Sequence, residues 1–214
     1  MITDRRPPST GGPRRGFAAS QDALVDRVAA AARAGVHLVQ VRERDLDGRA
    51  LTQLVERCLL AVQGTSTRIL VNDRLDVALA AGAHGVHLRG DSVPGPRIRT
   101  MAPHAFVVGR SVHAREEAAR GDGLDYLIFG PVFETGSKPG VPAAGTSGLS
   151  DVAAATTIPV LAVGGMTPER AAEVARTGAA GFAAIGLFAD CPVDALQLIV
   201  RTASMAFDTL GSVP

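Results

Sequence analysis

Short apolar runs that stop at glycine or at polar residues alternate along the chain with longer, Ala-rich stretches of helical periodicity. The pattern predicts strands over His37–Arg42, Arg68–Asn72, Gly85–Leu88, Ala105–Gly109, Asp125–Gly130, Pro159–Gly164 and Gly181–Gly186. Between them it predicts helices over Gln21–Ala34, Gly48–Val62, Leu75–Ala81 and Pro94–Met101. Further helices are expected over Ala114–Arg120, Leu149–Thr156, Thr167–Thr177 and Val193–Leu210. Gly or Ala-Gly closes several helices just ahead of a strand, as in ARAG-VHLVQ and ARTGAA-GFAAI, where a C-cap commonly needs positive φ. An eighth strand has only Met1-Ile2-Thr3 to draw on.

Strand–helix alternation means a parallel sheet, either closed or doubly wound. The count favours a (β/α)8 TIM barrel, an α/β single domain over residues 1–214, with a short first strand. Residues 1–16 are expected to form a flexible N-terminal segment. A doubly wound sheet would place a phosphate loop after its first strand, where no GxGxxG occurs. In a barrel the strand C-termini carry the chemistry.

Composition narrows the function. The net charge is +1 and aromatic residues are 4% with no Trp, which argues against nucleic acid and against base-stacking surfaces. Apolar stretches are too short to span a membrane, and MITDRRPPSTGGPRRG lacks the apolar core of a secretory signal. Cys58 and Cys191 lie outside any metal-ligand spacing, and a reducing cytoplasmic setting is expected. A homodimer or larger homo-oligomer is compatible with the sequence.

Polar residues gather at the predicted strand ends. Gln40, Arg42 and Arg44 alternate onto one side and form a cationic wall suited to phosphate or carboxylate. The alternative pairs Arg42 and Arg44 with Glu43, Asp45 and Asp47. Asn72-Asp73 ends the next strand, and Asp73 suits a metal, a base or a helix cap. His87 and then Ser111 and His113 follow the next two strands; each histidine is either a structural hydrogen-bonding group or a catalyst. Gly164-Gly165 lets main-chain N–H groups approach an anion, with Thr167 as helix N-cap and Pro168 at the first helical position. Ile185-Gly186 closes the last strand in the same way, and the loops after strands seven and eight are the recurrent phosphate site of such barrels.

These residues in this order resemble the thiamine phosphate synthase/thiazole tautomerase family. The resemblance runs over nearly the whole chain: Gln40-Val41-Arg42-Glu43-Arg44, Asn72-Asp73-Arg74, Gly85-Val86-His87-Leu88, Gly109-Arg110-Ser111-Val112-His113, Gly130-Pro131-Val132-Phe133 with Thr135 and Lys138, and Gly164-Gly165-Met166. It implies a (β/α)8 barrel and a small-molecule thiazole phosphate substrate.

The family holds two chemistries. The tautomerase aromatises a thiazole carboxylate phosphate by moving a proton and requires no cofactor. It is the first expectation here, on Gly109–His113 with Glu116-Glu117, Phe133-Glu134-Thr135 and Gly165–Arg170. Its base would fall at Pro131, so Asp73, His87 and His113 are the candidate catalysts, with Arg42 and Lys138 drawing the carboxylate. The alternative is the synthase, which joins a pyrimidine diphosphate to a thiazole phosphate with Mg2+. The resemblance then gives Arg42, Arg44, Asn72 and Lys138 the diphosphate and Asp73 the metal, while Ser92 stands where a second metal carboxylate belongs and Asp91 is one residue off. Gln40, Ser111 and Thr135 complete the substrate-binding set, and Gly164, Gly165, Ile185 and Gly186 the phosphate set. A second alternative is a non-catalytic regulatory paralogue that keeps the thiazole phosphate pocket.

Overall fold

The computed structural model describes residues 1–5, 21–136 and 140–208. Lys138, residues 6–16 of the segment predicted to be flexible, and Leu210 at the end of the last predicted helix lie outside them, whereas Met1–Thr3 of that segment are buried and hydrogen-bonded to Gln40 rather than flexible. In chain order the first elements are α1 (Gln21–Arg33), β1 (Leu38–Val41), α2 (Gly48–Ala61), β2 (Arg68–Asn72), α3 (Leu75–Ala80) and β3 (Gly85–Leu88). Then come α4 (Gly95–Arg99), β4 (Val107–Val112), α5 (Arg115–Ala118), β5 (Tyr126–Phe129), α6 (Gly145–Ala153) and β6 (Val160–Val163). The last are α7 (Ala171–Ala175), β7 (Gly181–Ala183), α8 (Gly186–Asp190), a 3-10 turn (Val193–Ala195) and α9 (Leu196–Asp208). The seven strands form one sheet in chain order. No helix among the described residues is long and apolar enough to cross a membrane.

The chain divides into two compact units, although no boundary shows in the sequence. The first holds Met1–His87, Ala102–Val107 and Ile185–Val200. Here β1 and β2 run parallel from Leu38↔Arg68 to Val41↔Val71, and β2 meets β3 at Leu70↔Gly85 through Asn72↔His87. The eighth strand is reduced to one parallel bridge, Ile2↔Gln40. Thr3 N–H donates to the Gln40 carbonyl and Gln40 N–H to the Met1 carbonyl, each at 2.9 Å. Helix α2 starts at Asp47, whose carboxylate accepts from Ala50 N–H at 2.8 Å. Its buried residues Leu51, Leu54, Val55 and Cys58 follow the i, i+3, i+4, i+7 stripe of a helix against a sheet. Truncating the fully buried Leu54 to Ala would cost about 2–5 kcal/mol.

The second unit holds Leu88–Met101, Val108–Ala184 and Arg201–Pro214. Strand β4 pairs with β5 from Gly109↔Tyr126 to Val112↔Phe129, and β5 with β6 from Leu127↔Val160 to Phe129↔Ala162. All four residues of β5 are buried, as both faces of a parallel sheet are covered. A Cβ at Gly109 would sit 2.1 Å from the Tyr126 ring, so this glycine is what lets Tyr126 fill the layer.

Several predicted boundaries move. Strand β4 starts and ends later than expected: Phe106 N–H closes a turn on the Pro103 carbonyl at 3.0 Å, and Arg110 and Ser111 belong to the strand rather than to the loop after it. Helix α6 starts at Gly145, four residues before Leu149. Thr167 is not the N-cap of α7. Residues Thr167–Arg170 form a turn in which Arg170 N–H reaches the Thr167 carbonyl at 3.2 Å, and regular helix begins at Ala171. The last predicted strand stops at Ala183; Gly186 instead opens α8, a helix absent from the periodicity reading because it is only five residues long. The segment predicted as one helix from Val193 begins as a 3-10 turn, with α9 taking over at Leu196.

Candidate active site

In the first unit the chemistry-bearing residues sit where β1, β2 and β3 end. Gln40 is 5% exposed, and its Nε2 donates to Asn72 Oδ1 at 2.8 Å. Its Oε1 is buried with no donor among the described residues. A buried acceptor left unmatched costs about 1–3 kcal/mol, and this oxygen is open to a donor.

Arg42 pairs with neither Glu43, Asp45 nor Asp47 in the way the alternative required. Its Nη1 meets Asp4 Oδ2 at 2.9 Å, and its N–H donates to Thr3 Oγ1 at 2.9 Å. Glu43 serves the N-terminal segment instead, accepting from Thr3 Oγ1 at 2.6 Å, Arg5 N–H at 3.0 Å and Arg5 Nε at 3.1 Å. Burial pushes the Glu43 carboxyl above its ordinary range, against the Thr3 and Arg5 hydrogen bonds that lower it. Arg44 is exposed.

Asp73 is the one described non-glycine residue with positive φ, at 57°. That conformation costs an L-residue roughly 1–3 kcal/mol and is concentrated at functional sites. It is held by Asp73 N–H donating to the His87 carbonyl at 2.8 Å. Arg74 rather than Asp73 is the N-cap residue of α3, and the Arg74 side chain makes no capping hydrogen bond. His87 is buried, at 2% exposed, within β3. Ile185 precedes α8 as its N-cap, and a Cβ at Gly186 would lie 3.3 Å from Asp190 Oδ2.

In the second unit the loops after β5 and β6 interlock. Val132 N–H donates to the Val163 carbonyl at 2.8 Å and Phe133 N–H to the Gly164 carbonyl at 3.2 Å. Gly164 and Gly165 both have positive φ, 101° and 63°. A Cβ at Gly165 would come within 2.5 Å of the Glu134 carbonyl, so only glycine lets the two loops approach. No acceptor among the described residues meets the N–H of Gly164, Gly165 or Met166. Three such amides are what an anion cradle needs. Thr135, two residues beyond Phe133, is half-buried.

His113 is exposed, and its Nδ1 lies 2.9 Å from the Gly130 carbonyl. A carbonyl only accepts, so Nδ1 carries the proton and Nε2 is left as the acceptor. Ser111 is half-buried in β4 beside it. Arg110 reaches the carbonyls of Gly90 at 3.2 Å, Ser92 at 3.4 Å and Val93 at 2.5 Å, fixing the loop after β3. Asp91 is engaged by Arg89 at 3.2 Å. Sequence reading passed over Asp4, Arg110 and the Arg170 contacts, since their partners are distant in the chain or are carbonyls that no residue type announces.

The donors do not build a magnesium site by themselves. Among the described residues no group of three or more His, Cys, Asp or Glu side chains could hold a metal. Asp73 offers one carboxylate, Ser92 offers none, and Arg89 holds Asp91.

A parallel α/β sheet in chain order, with polar strand ends and a double-glycine turn, defines the TIM-barrel-like class. Residues 15–188 match the family model for thiamine monophosphate synthase, and the chain belongs to that family. It is 38% identical over 195 residues to the thiamine-phosphate synthase of Roseiflexus castenholzii, covering 90% of this chain and 81% of that one. It is 42% identical over 174 residues to the thiamine-phosphate synthase of Albidiferax ferrireducens, covering 79% and 78%. The solved thiamine phosphate pyrophosphorylase from Pyrococcus furiosus shares the fold with a TM-score of 0.79 and 27% identity, over 98% of this chain and 94% of that one.

Proposed function

We propose that this chain is a thiamine-phosphate synthase: it joins a pyrimidine diphosphate to a thiazole phosphate and releases diphosphate. A C–N bond forms at the thiazole nitrogen while the C–O bond to diphosphate breaks, so the site must orient the pyrimidine and accept the charge of the leaving group. The observation that carries the reading is Gln40 Oε1, buried and without a donor. An aminopyrimidine brings an N–H donor to it. A thiazole carboxylate phosphate, the tautomerase substrate, presents acceptors there instead. The names of the relatives favour the same choice.

Around Gln40, Asn72 and Arg42 supply donors for the diphosphate, with Asp73 beside them, and Arg44 and Lys138 are further candidates by resemblance. Gly164 and Gly165 offer main-chain N–H groups to the thiazole phosphate. The tautomerase expected first from sequence would need Asp73, His87 or His113 as its base, since Pro131 has no proton to move. The test is incubation of the purified chain with both synthase substrates and Mg2+. Thiamine phosphate and diphosphate are expected in equal amounts. Their absence, with ligand binding intact, would select the regulatory reading, whereas turnover of the non-aromatic thiazole would restore the tautomerase.

A further inference from the structure

Arg170 stands just before α7 and has a task that no helix cap explains. Its guanidinium lies over the Phe133 ring, 4.3 Å from the centroid, while Nη1 donates to the Gly165 carbonyl. One planar side chain therefore touches both the loop after β5 and the double-glycine turn after β6. A peptide group is planar, with its C=O and N–H pointing in opposite directions. Holding the Gly165 carbonyl thus aims the Met166 N–H of the same peptide the other way, and Met166 is buried at 6% exposed. Gly165, at φ 63°, has no Cβ to resist rotation of that peptide, so the restraint must come from elsewhere.

We infer that Arg170 is a positioning residue: it locks the orientation of the Gly165–Met166 amide and, through Phe133, ties the segment bearing Thr135 to the same turn. The inference rests on the phosphate role proposed above for Gly164 and Gly165. Lysine could not do this, since a point-charge ammonium cannot stack face-on over Phe133 and donate in-plane to a carbonyl at once. The glycine turn and the Thr135 segment then respond as one body to a phosphate.

The experiment measures inorganic phosphate and thiazole phosphate binding by calorimetry, and steady-state kinetics with both substrates, for the full chain and for Arg170→Ala, Arg170→Lys and Phe133→Leu. Arg170→Ala is expected to raise KM for thiazole phosphate about tenfold, the scale of a lost hydrogen bond to a charged group, with KM for the pyrimidine diphosphate unchanged. Arg170→Lys and Phe133→Leu are expected to raise it about threefold, the scale of a lost cation–π contact. Far-UV circular dichroism checks folding, and should Arg170→Ala unfold, Phe133→Leu carries the test. Unchanged phosphate affinity, or an equal rise in both KM values, overturns the inference while leaving the synthase reading intact. If the wild-type chain binds neither phosphate probe, the phosphate role of the glycines fails and the inference falls with it.

Discussion

Gln40 Nε2 donates to Asn72 Oδ1 across 2.8 Å, joining the ends of β1 and β2 through side chains and leaving Gln40 Oε1 facing no donor. The two side-chain amides share one bond, and the remaining acceptor of buried Gln40 has no donor among the described residues. Replacing Gln40 by Met keeps the volume and removes that acceptor. Folding stability should change by less than about 1 kcal/mol, since removing the unmatched acceptor offsets the lost bond to Asn72. KM for the pyrimidine diphosphate should rise about tenfold, the scale of one lost ligand hydrogen bond. Urea unfolding and initial rates measure the two separately. A stability loss with no change in KM would reduce Gln40 to a structural residue.

Glu43 holds the N-terminal residues to the end of β1. Its side chain is 0% exposed and that of Arg5 is 11% exposed. Glu43→Ala leaves the Arg5 guanidinium with Asp45 alone and the buried Thr3 O–H without its acceptor, a loss of about 1–3 kcal/mol. Glu43→Gln keeps an acceptor for Thr3 and should recover part of that loss. Equal urea midpoints for wild type and Glu43→Ala would show that the network is idle.

His84 predicts the pH dependence of stability. Its Nδ1 accepts from Ile69 N–H at 3.0 Å, a bond that exists only while that nitrogen is unprotonated. Burial, and secondarily the nearby Arg68 charge, hold the His84 pKa below its ordinary 6.5. The unfolded chain therefore binds the proton first. The contribution of His84 is complete above pH 6.5 and declines as pH falls from there through the lower folded value. Denaturation of wild type and His84→Gln across pH 5 to 8 should show the difference between them shrinking on the acidic side. A difference that grows as pH falls would reverse the sign and refute the account.

Much of the fold was legible because strand and helix signals here agree with their boundaries. The predicted limits of β2 and β3 are those observed, since Arg68–Asn72 and Gly85–Leu88 are apolar runs with sharp polar or glycine ends. The strands of parallel sheets announce themselves in this way. Thr167-Pro168-Glu169 misled because its signals are local and ambiguous: the residues form a turn that Arg170 N–H closes on the Thr167 carbonyl, and regular helix waits until Ala171. At the site, residue types at the strand ends could be read directly. Their partners could not. Asp4 reaches Arg42 across 38 residues, and the positive φ of Asp73 is set by its bond to His87 in the neighbouring strand.

Lys138 offers a chemical test that needs no mutagenesis to begin. It is the only lysine in a chain whose other basic side chains, histidine apart, are all arginine, so amine-selective acetylation can reach just Lys138 and the N-terminal amine. Acetylation removes the charge and one strong donor for phosphate oxygens. If Lys138 meets the diphosphate, treatment should lower synthase turnover at least ~10-fold, the scale of a lost charge-assisted hydrogen bond. Diphosphate present during the reaction should slow inactivation, and Lys138→Arg should be insensitive to the reagent while keeping part of its activity, since the guanidinium preserves charge but not shape. Mass spectrometry identifies which amine has reacted. Full activity with Lys138 completely acetylated would remove it from the diphosphate set and leave the leaving-group charge to Arg42 and Asn72.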